Sequence, residues 1–151
     1  MPQSLANLLV HIVFSTKDRH QFLQDAQLRD RMHRYLAGVS AKLDCPALIV
    51  GGATDHVHLL GRQSRTVTMA SWIKELKRAS SIWAKTNGPQ CGSFQWQAGY
   101  GAFSVSQSQS GDVRRYIASQ EEHHRRMSFQ EELRSLLKKH AIEFDEQYVW
   151  D

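Results

Sequence analysis

The apolar and polar positions of the chain fall into a short series of strand-like and helix-like segments. From Leu8 to Ser15, Leu8, Val10, Ile12 and Phe14 share one face and Leu9, His11 and Val13 the other. Apolar residues on both faces predict a central strand covered on both sides. Asp25 to Lys42 carries Leu28, Met32, Leu36 and Val39 at helical spacing. Ala47 to Val50 reads as a short strand ending in Gly51-Gly52. Thr54-Asp55 then turns the chain into a second strand, His56 to Gln63, paired antiparallel with the first. Thr68 to Thr86 holds the clearest amphipathic pattern: Met69, Trp72, Ile73, Leu76 and Trp83 form one stripe, and Lys74, Lys77, Arg78 and Lys85 another. Asn87-Gly88-Pro89 stops it. Ser93 to Trp96 and Ala102 to Ser106 read as short strands around a Gly99-Tyr100-Gly101 turn, followed by a helix from about Gln109 to Met127. Ser128 with Glu131 three residues on is a capping-box pattern that opens a last helix, to about His140. The acidic tail, Glu143 to Asp151, carries Tyr148 and Trp150 and is expected to pack back on the rest.

The order β-α-β-β-α-β with extra C-terminal helices is a split βαβ arrangement: an α+β, ferredoxin-like fold with an antiparallel sheet. No repeat and no Pro/Gly linker divides the 151 residues, so one domain over 1–151 is expected. Hydrophobic residues at 41% and charged residues at 23% fit an ordinary folded domain and argue against disorder. The balance of 19 Lys and Arg against 15 Asp and Glu gives +4, a mild excess that permits a phosphate-bearing partner without requiring one. Cys45 and Cys91 are too few for a disulfide scaffold or a four-cysteine zinc site and read as reduced thiols of a cytoplasmic protein. The apolar run Leu8 to Phe14 is interrupted by His11 and falls far short of the ~20 residues of a membrane span. No basic start followed by a long apolar region precedes it, so no secretory signal is expected.

Two features carry chemistry. In His56-Val57-His58 the two imidazoles share one face of a strand, while Val57 and Leu59 point into the core. Such a pair is half of a divalent-metal site, although an isolated His-x-His is more often chance. Tyr116 and Gln120 lie one helical turn apart on one face; alone, such a tyrosine is more often a surface amphiphile. Together they suit metal-assisted phosphoryl transfer. His56, His58 and the Gln120 side-chain oxygen would hold the metal, a phosphate oxygen would take an open position, and Tyr116 would be the nucleophile.

The sequence resembles the TnpA-type single-tyrosine HUH transposases of the smallest insertion sequences and their REP-associated relatives. The match is carried by His11 to Lys17, by Asp55 to Leu60 around the His-x-His, by Trp96 to Ser106, and by Tyr116-Ile117-Ala118-Ser119-Gln120-Glu121-Glu122-His123-His124. The resemblance implies an HUH-type endonuclease that binds single-stranded DNA with hairpins near the element ends. Its tyrosine cuts the strand, leaving a 5′-phosphotyrosine and a free 3′-OH, and the reverse step rejoins it. It implies Tyr116 as nucleophile, His56, His58 and Gln120 as ligands, Mg2+ or Mn2+ as cofactor, and a homodimer in which one chain's tyrosine helix can complete the other's histidine site. The imidazole-rich donor set by itself leads instead to manganese or zinc, since magnesium prefers oxygen.

Several residues have two readings. His123-His124 reads as a pair at a helix end rather than as further ligands. His11 reads as a satisfied histidine on the sheet. Asp55 reads either as a turn residue or as a group that orients a ligand histidine. Lys74, Lys77, Arg78 and Lys85 are either a solvated face or a phosphate track. Arg114 and Arg115 flank the tyrosine and could reach phosphates, and bases could stack on Trp96, Tyr100 or Phe103. Trp72 and Trp83 are read as core. The rival functions are a domesticated or replication-type HUH nickase, and a non-catalytic ferredoxin-like nucleic-acid-binding module.

Overall fold

In the computed structural model, which describes residues 2–151, β1 (Leu9–Ser15), β2 (Ala47–Gly52), β3 (His56–Arg62) and β4 (Gly101–Val105) form one antiparallel sheet in the order β2-β3-β1-β4. Helix α1 (Ala26–Lys42) joins β1 to β2, and α2 (Met69–Asn87) joins β3 to β4. Helices α3 (Ser110–Ala118), α4 (Gln120–His123) and α5 (Phe129–Lys139) follow. This is the expected ferredoxin-like order with extra C-terminal helices.

The helix starts follow local chemistry. The side chains of Asp25, Thr68 and Ser128 accept hydrogen bonds from Gln27 N (2.9 Å), Ser71 N (3.1 Å) and Glu131 N (3.2 Å). Each satisfies a donor that the first helical turn leaves without a partner. Helix α5 ends in a left-handed residue, Ala141 (φ 55°). Ala141 N donates to Lys138 O and Ile142 N to Leu137 O, the bond pair of a Schellman stop.

The sheet is covered on both faces. Val10, Ile12, Phe14, Val57 and Leu59 meet Leu28, Met32 and Leu36 of α1 and Trp72, Ile73 and Leu76 of α2. The buried Trp72 and Trp96 indoles donate to Ser40 Oγ and Ser80 Oγ, both at 2.9 Å. On the other face Leu9 and Leu60 take Ile117 of α3. Val13 and Phe103 take Phe129, Leu133 and Leu137 of α5, with Val149 and Trp150 of the tail packed alongside. The tail therefore folds back as expected, and its Asp151 carbonyl accepts from Gly99 N at 2.8 Å.

Three expectations are corrected. Ser93 to Trp96 is not a strand; only a single bridge, Thr16 to Trp96, forms there. The Gln97 side-chain oxygen takes Ser15 N at 2.8 Å, so a side chain occupies a ladder position. The helix expected from Gln109 to Met127 breaks at Ser119 (φ −99°, ψ 18°) and stops at His123. Past the break, α4 is met from outside its own segment by Arg29 of α1, which holds Glu121 at 2.6 Å and donates to the Leu23 carbonyl at 2.8 Å. Trp83 lies at the edge of the core rather than inside it, stacked on Tyr35.

Candidate active site

Alternation along β3 decides where the histidines go. Val57 and Leu59 face α1 and α2, so His56 and His58 face the opposite side, and both are fully buried. His56 Nδ1–H donates to Asp55 Oδ1 at 2.7 Å, and its Nε2 lies 3.2 Å from Gln120 Oε1. His58 Nδ1 lies 2.7 Å from Nε2 of His11, its neighbour on β1. Each ring is thus oriented through one nitrogen and presents the other inward.

What they present it to is Glu132. Its Oε1 lies 2.9 Å from His58 Nε2, 3.0 Å from His124 Nε2 and 3.4 Å from His56 Nε2. Its Oε2 accepts the Tyr116 hydroxyl. Glu132 is 1% exposed. The ligand atoms of His56, His58, His124 and Glu132 all lie within 4.8 Å of one another, a group able to hold a metal ion.

Charge in this cluster follows from burial and pairing. Burial opposes a proton on His56, but its bonds to Asp55 and Glu132 outweigh burial and push its pKa up to about 9. Burial dominates at His58, lowering its pKa to about 4 against the pull of Glu132. His11 falls to about 3, through burial and then the neighbouring His58. Burial alone would raise the Glu132 pKa; the hydrogen bonds from His124, His56 and His58 hold it far below the carboxylate range. Burial, then the Glu132 charge, pushes the Tyr116 hydroxyl well above the usual phenol value, so the tyrosine rests protonated. A cleft of about 300 Å³ opens beside it between β4, α3 and α5, lined by Phe103, Val113, Tyr116, Glu132 and His140 among others.

A family model described as "Transposase IS200 like" matches residues 4–120. The chain belongs to the IS200-like transposase family. It is a DNA transposase, and so an enzyme. It is 27% identical over 115 residues to the ISDra2 transposase TnpA of Deinococcus radiodurans, covering 73% of this chain and 81% of that relative. Its fold is similar to the crystal structure of a transposase from Deinococcus radiodurans R1 (TM-score 0.62, 24% identity, 80% of this chain and 96% of the other). It is also similar to a REP-associated tyrosine transposase bound to a REP hairpin (TM-score 0.53, 12% identity, 80% and 68%).

In this IS200-like transposase His56, His58, Gln120 and Tyr116, expected from the sequence to converge, do meet at one place. Tyr116 and Gln120 do so across a helix break, with Gln120 Nε2 donating to the Tyr116 carbonyl at 3.4 Å. His123-His124 stands at a helix end as read, closing α4; beyond that reading, His124 also joins the cluster and the His123 ring stands 5.4 Å from that of Tyr116. His11 is a sheet-face histidine as expected, with His58 as its partner. Glu132 was missed. Its one legible signal is an acid on the apolar stripe of α5, with Phe129, Leu133 and Leu137. The basic stripe of α2 lies across the sheet from the histidines. Lys77 donates its ammonium to the carbonyls of Gln97, Ala98 and Gly99 (2.8, 3.2 and 2.7 Å), and Arg78 pairs with Glu75 at 2.6 Å. Only Lys74 and Lys85 of the stripe remain exposed without a described partner. Arg114 and Arg115 lie exposed on α3, Arg115 paired with Asp112. Trp96 and Phe103 are buried on opposite faces of the sheet, which leaves Tyr100 alone open to a base.

Proposed function

We propose that this transposase cleaves and rejoins single-stranded DNA at hairpin-marked ends through Tyr116, with a divalent ion, Mg2+ or Mn2+, at His56, His58 and Gln120. The observation that carries this reading is that one carboxylate holds both the Tyr116 hydroxyl and the inward nitrogen of His58. A nucleophile and a metal-type donor set are thereby side by side within one chain. The hairpin belongs to the REP-associated neighbour and comes to this chain by likeness of fold.

The Tyr116 oxygen attacks the scissile phosphorus, the bond from phosphorus to the 3′ oxygen breaks, and a 5′-phosphotyrosine and a 3′-OH result. Tyr116 must give up a proton that burial and the Glu132 charge hold on it; its hydroxyl already donates to Glu132 Oε2, which orients the attacking oxygen. A divalent cation held by His56, His58 and Gln120 would supply a positive field that eases this loss and would polarise a phosphate oxygen. Asp55 and His11 fix the imidazoles, so little reorganisation is needed at the moment of reaction. The rejoining step runs the same bonds in reverse, so it needs no external energy source. Arg114 and Arg115 are the basic residues suited to backbone phosphates near the cut; Lys74 and Lys85 would meet DNA only where it wraps to the far face. The homodimer implied by the resemblance is compatible with a site complete in each chain.

The test is a denaturing-gel search for a covalent adduct with end-labelled hairpin single strands, in Mn2+ and in chelator. The wild-type chain is expected to give a metal-dependent adduct that carries the label 3′ of the cut, and Tyr116→Phe none, with DNA binding retained. An adduct that persists in Tyr116→Phe would overturn the assignment.

A further inference from the structure

His124 and Glu132 lie beyond residues 4–120, the segment matched to the family, yet they reach the centre of the site. We propose that they are metal ligands in their own right, so that His56, His58, His124 and Glu132 form a three-nitrogen, one-oxygen centre for a transition-metal ion. The proposal rests on the reading of this site as metal-dependent, and it sets His124 and Glu132 beside His56 and His58 where that reading has Gln120.

Three imidazole Nε2 atoms, two from β3 and one from the residue that caps α4, converge on a single carboxylate oxygen at 2.9, 3.0 and 3.4 Å. A four-coordinate ion with bonds of about 2.0–2.2 Å sets its donors roughly 3.3–3.6 Å apart; the three oxygen–nitrogen separations stand near that spacing, and all four atoms lie within 4.8 Å of one another. Two of the rings are held from behind, His56 by Asp55 and His58 by His11, the outer support that metal-bound histidines ordinarily have. Three of the four are buried, Glu132 1% and His56 and His58 0% exposed, and His124 is half-buried at the edge. A hydrophobic seat for α5, through Phe129, Leu133 and Leu137, keeps the carboxylate there.

Donor chemistry selects the ion. Three imidazoles and one carboxylate suit zinc, manganese or cobalt, whereas magnesium requires oxygen ligands and retained water. The second oxygen of Glu132 holds the Tyr116 hydroxyl. One carboxylate would therefore tie the nucleophile to the edge of the metal sphere.

The probe is Co2+ added to chelator-dialysed full-length protein, read as visible absorption and as calorimetric affinity. The wild-type chain is expected to bind one Co2+ with the intense bands of a four-coordinate ion. Glu132→Gln and His124→Asn are each expected to lose at least tenfold in affinity and to weaken those bands. Glu131→Gln, an exposed neighbour on the same helix, should leave both unchanged, and excess Mg2+ should not displace the Co2+. Zinc-edge X-ray absorption of the wild-type protein counts imidazoles without any variant: three support the proposal and two overturn it. Wild-type Co2+ affinity and spectrum in folded Glu132→Gln and His124→Asn would also overturn it. The covalent-adduct assay in Mn2+ separates the two readings. An adduct-forming chain with a two-imidazole site refutes only the added ligands. A three-imidazole site in a chain that forms no adduct refutes only the tyrosine chemistry.

Discussion

At the scale of single residues the site depends on which ring nitrogen faces which neighbour. His58 has no contact with water on either nitrogen: one faces His11 and the other Glu132. Replacing His11 with Phe keeps the ring volume, and with it the edge contacts to Phe103 and Tyr116. It leaves His58 Nδ1 buried without a partner. Loss of such an outer partner costs about 10–100-fold in metal affinity. His11→Phe is therefore expected to weaken Mn2+ or Co2+ binding by that amount in calorimetry while the chain stays folded. Wild-type affinity would show that the sheet alone orients His58.

At the scale of elements, Tyr116 is placed by the seating of α3 on β2. The contact is made at Gly51, where an added Cβ would stand 2.6 Å from the Ile117 carbonyl oxygen and 2.9 Å from its Cγ2. A backbone oxygen cannot give way without moving the helix. Gly51→Ala should therefore lift α3, at a cost of about 1–3 kcal/mol as for other overpacked sites. It should slow adduct formation by about tenfold or more, because small displacements of a nucleophile are costly. Metal binding at the β3 histidines should persist. Urea denaturation, the adduct rate and Co2+ titration read the three effects separately. Equal loss of all three would mean that α3 and the histidines do not move independently.

Over the whole molecule, buried histidines make stability depend on pH in two directions. His11 and His33 have folded pKa values of about 3 and about 4 against 6.5 in the open chain, His33 through burial and then Arg29. Between pH 6.5 and 4 the unfolded chain takes up protons that the folded chain refuses, so stability falls with falling pH. His56 is the reverse. Its folded pKa is about 9, so its contribution is complete below pH 6.5 and is lost as pH rises through 9. In chelator, the urea midpoint is expected to peak near pH 6.5–7 and to fall on both sides. A midpoint flat from pH 6.5 down to 4.5 would show that His11 and His33 accept protons in the folded state. Among the described residues no helix is long and apolar enough to cross a membrane.

Periodicity and end chemistry alone determined most of the elements. The alternation of β1 and β3, the caps at Asp25, Thr68 and Ser128, and the apolar stripe of α2 are local, and a local signal is written in neighbouring residues. The same alternation placed His56 and His58 on one face, and the motifs around them and Tyr116 led to the family. What the sequence did not display depends on contacts between distant segments. The helix breaks at Ser119, and the short helix beyond it pairs through Glu121 with Arg29, ninety-two positions away. The missing strand at Ser93 to Trp96 turns on one side chain, Gln97, replacing a ladder bond. Lys77 looked like part of a solvated stripe until the loop after α2 brought three carbonyls to it. Glu132 becomes a partner of the β3 histidines only when α5 docks on Val13 and Phe103. Spacing along the chain sets which face a side chain takes; only packing decides what stands opposite that face.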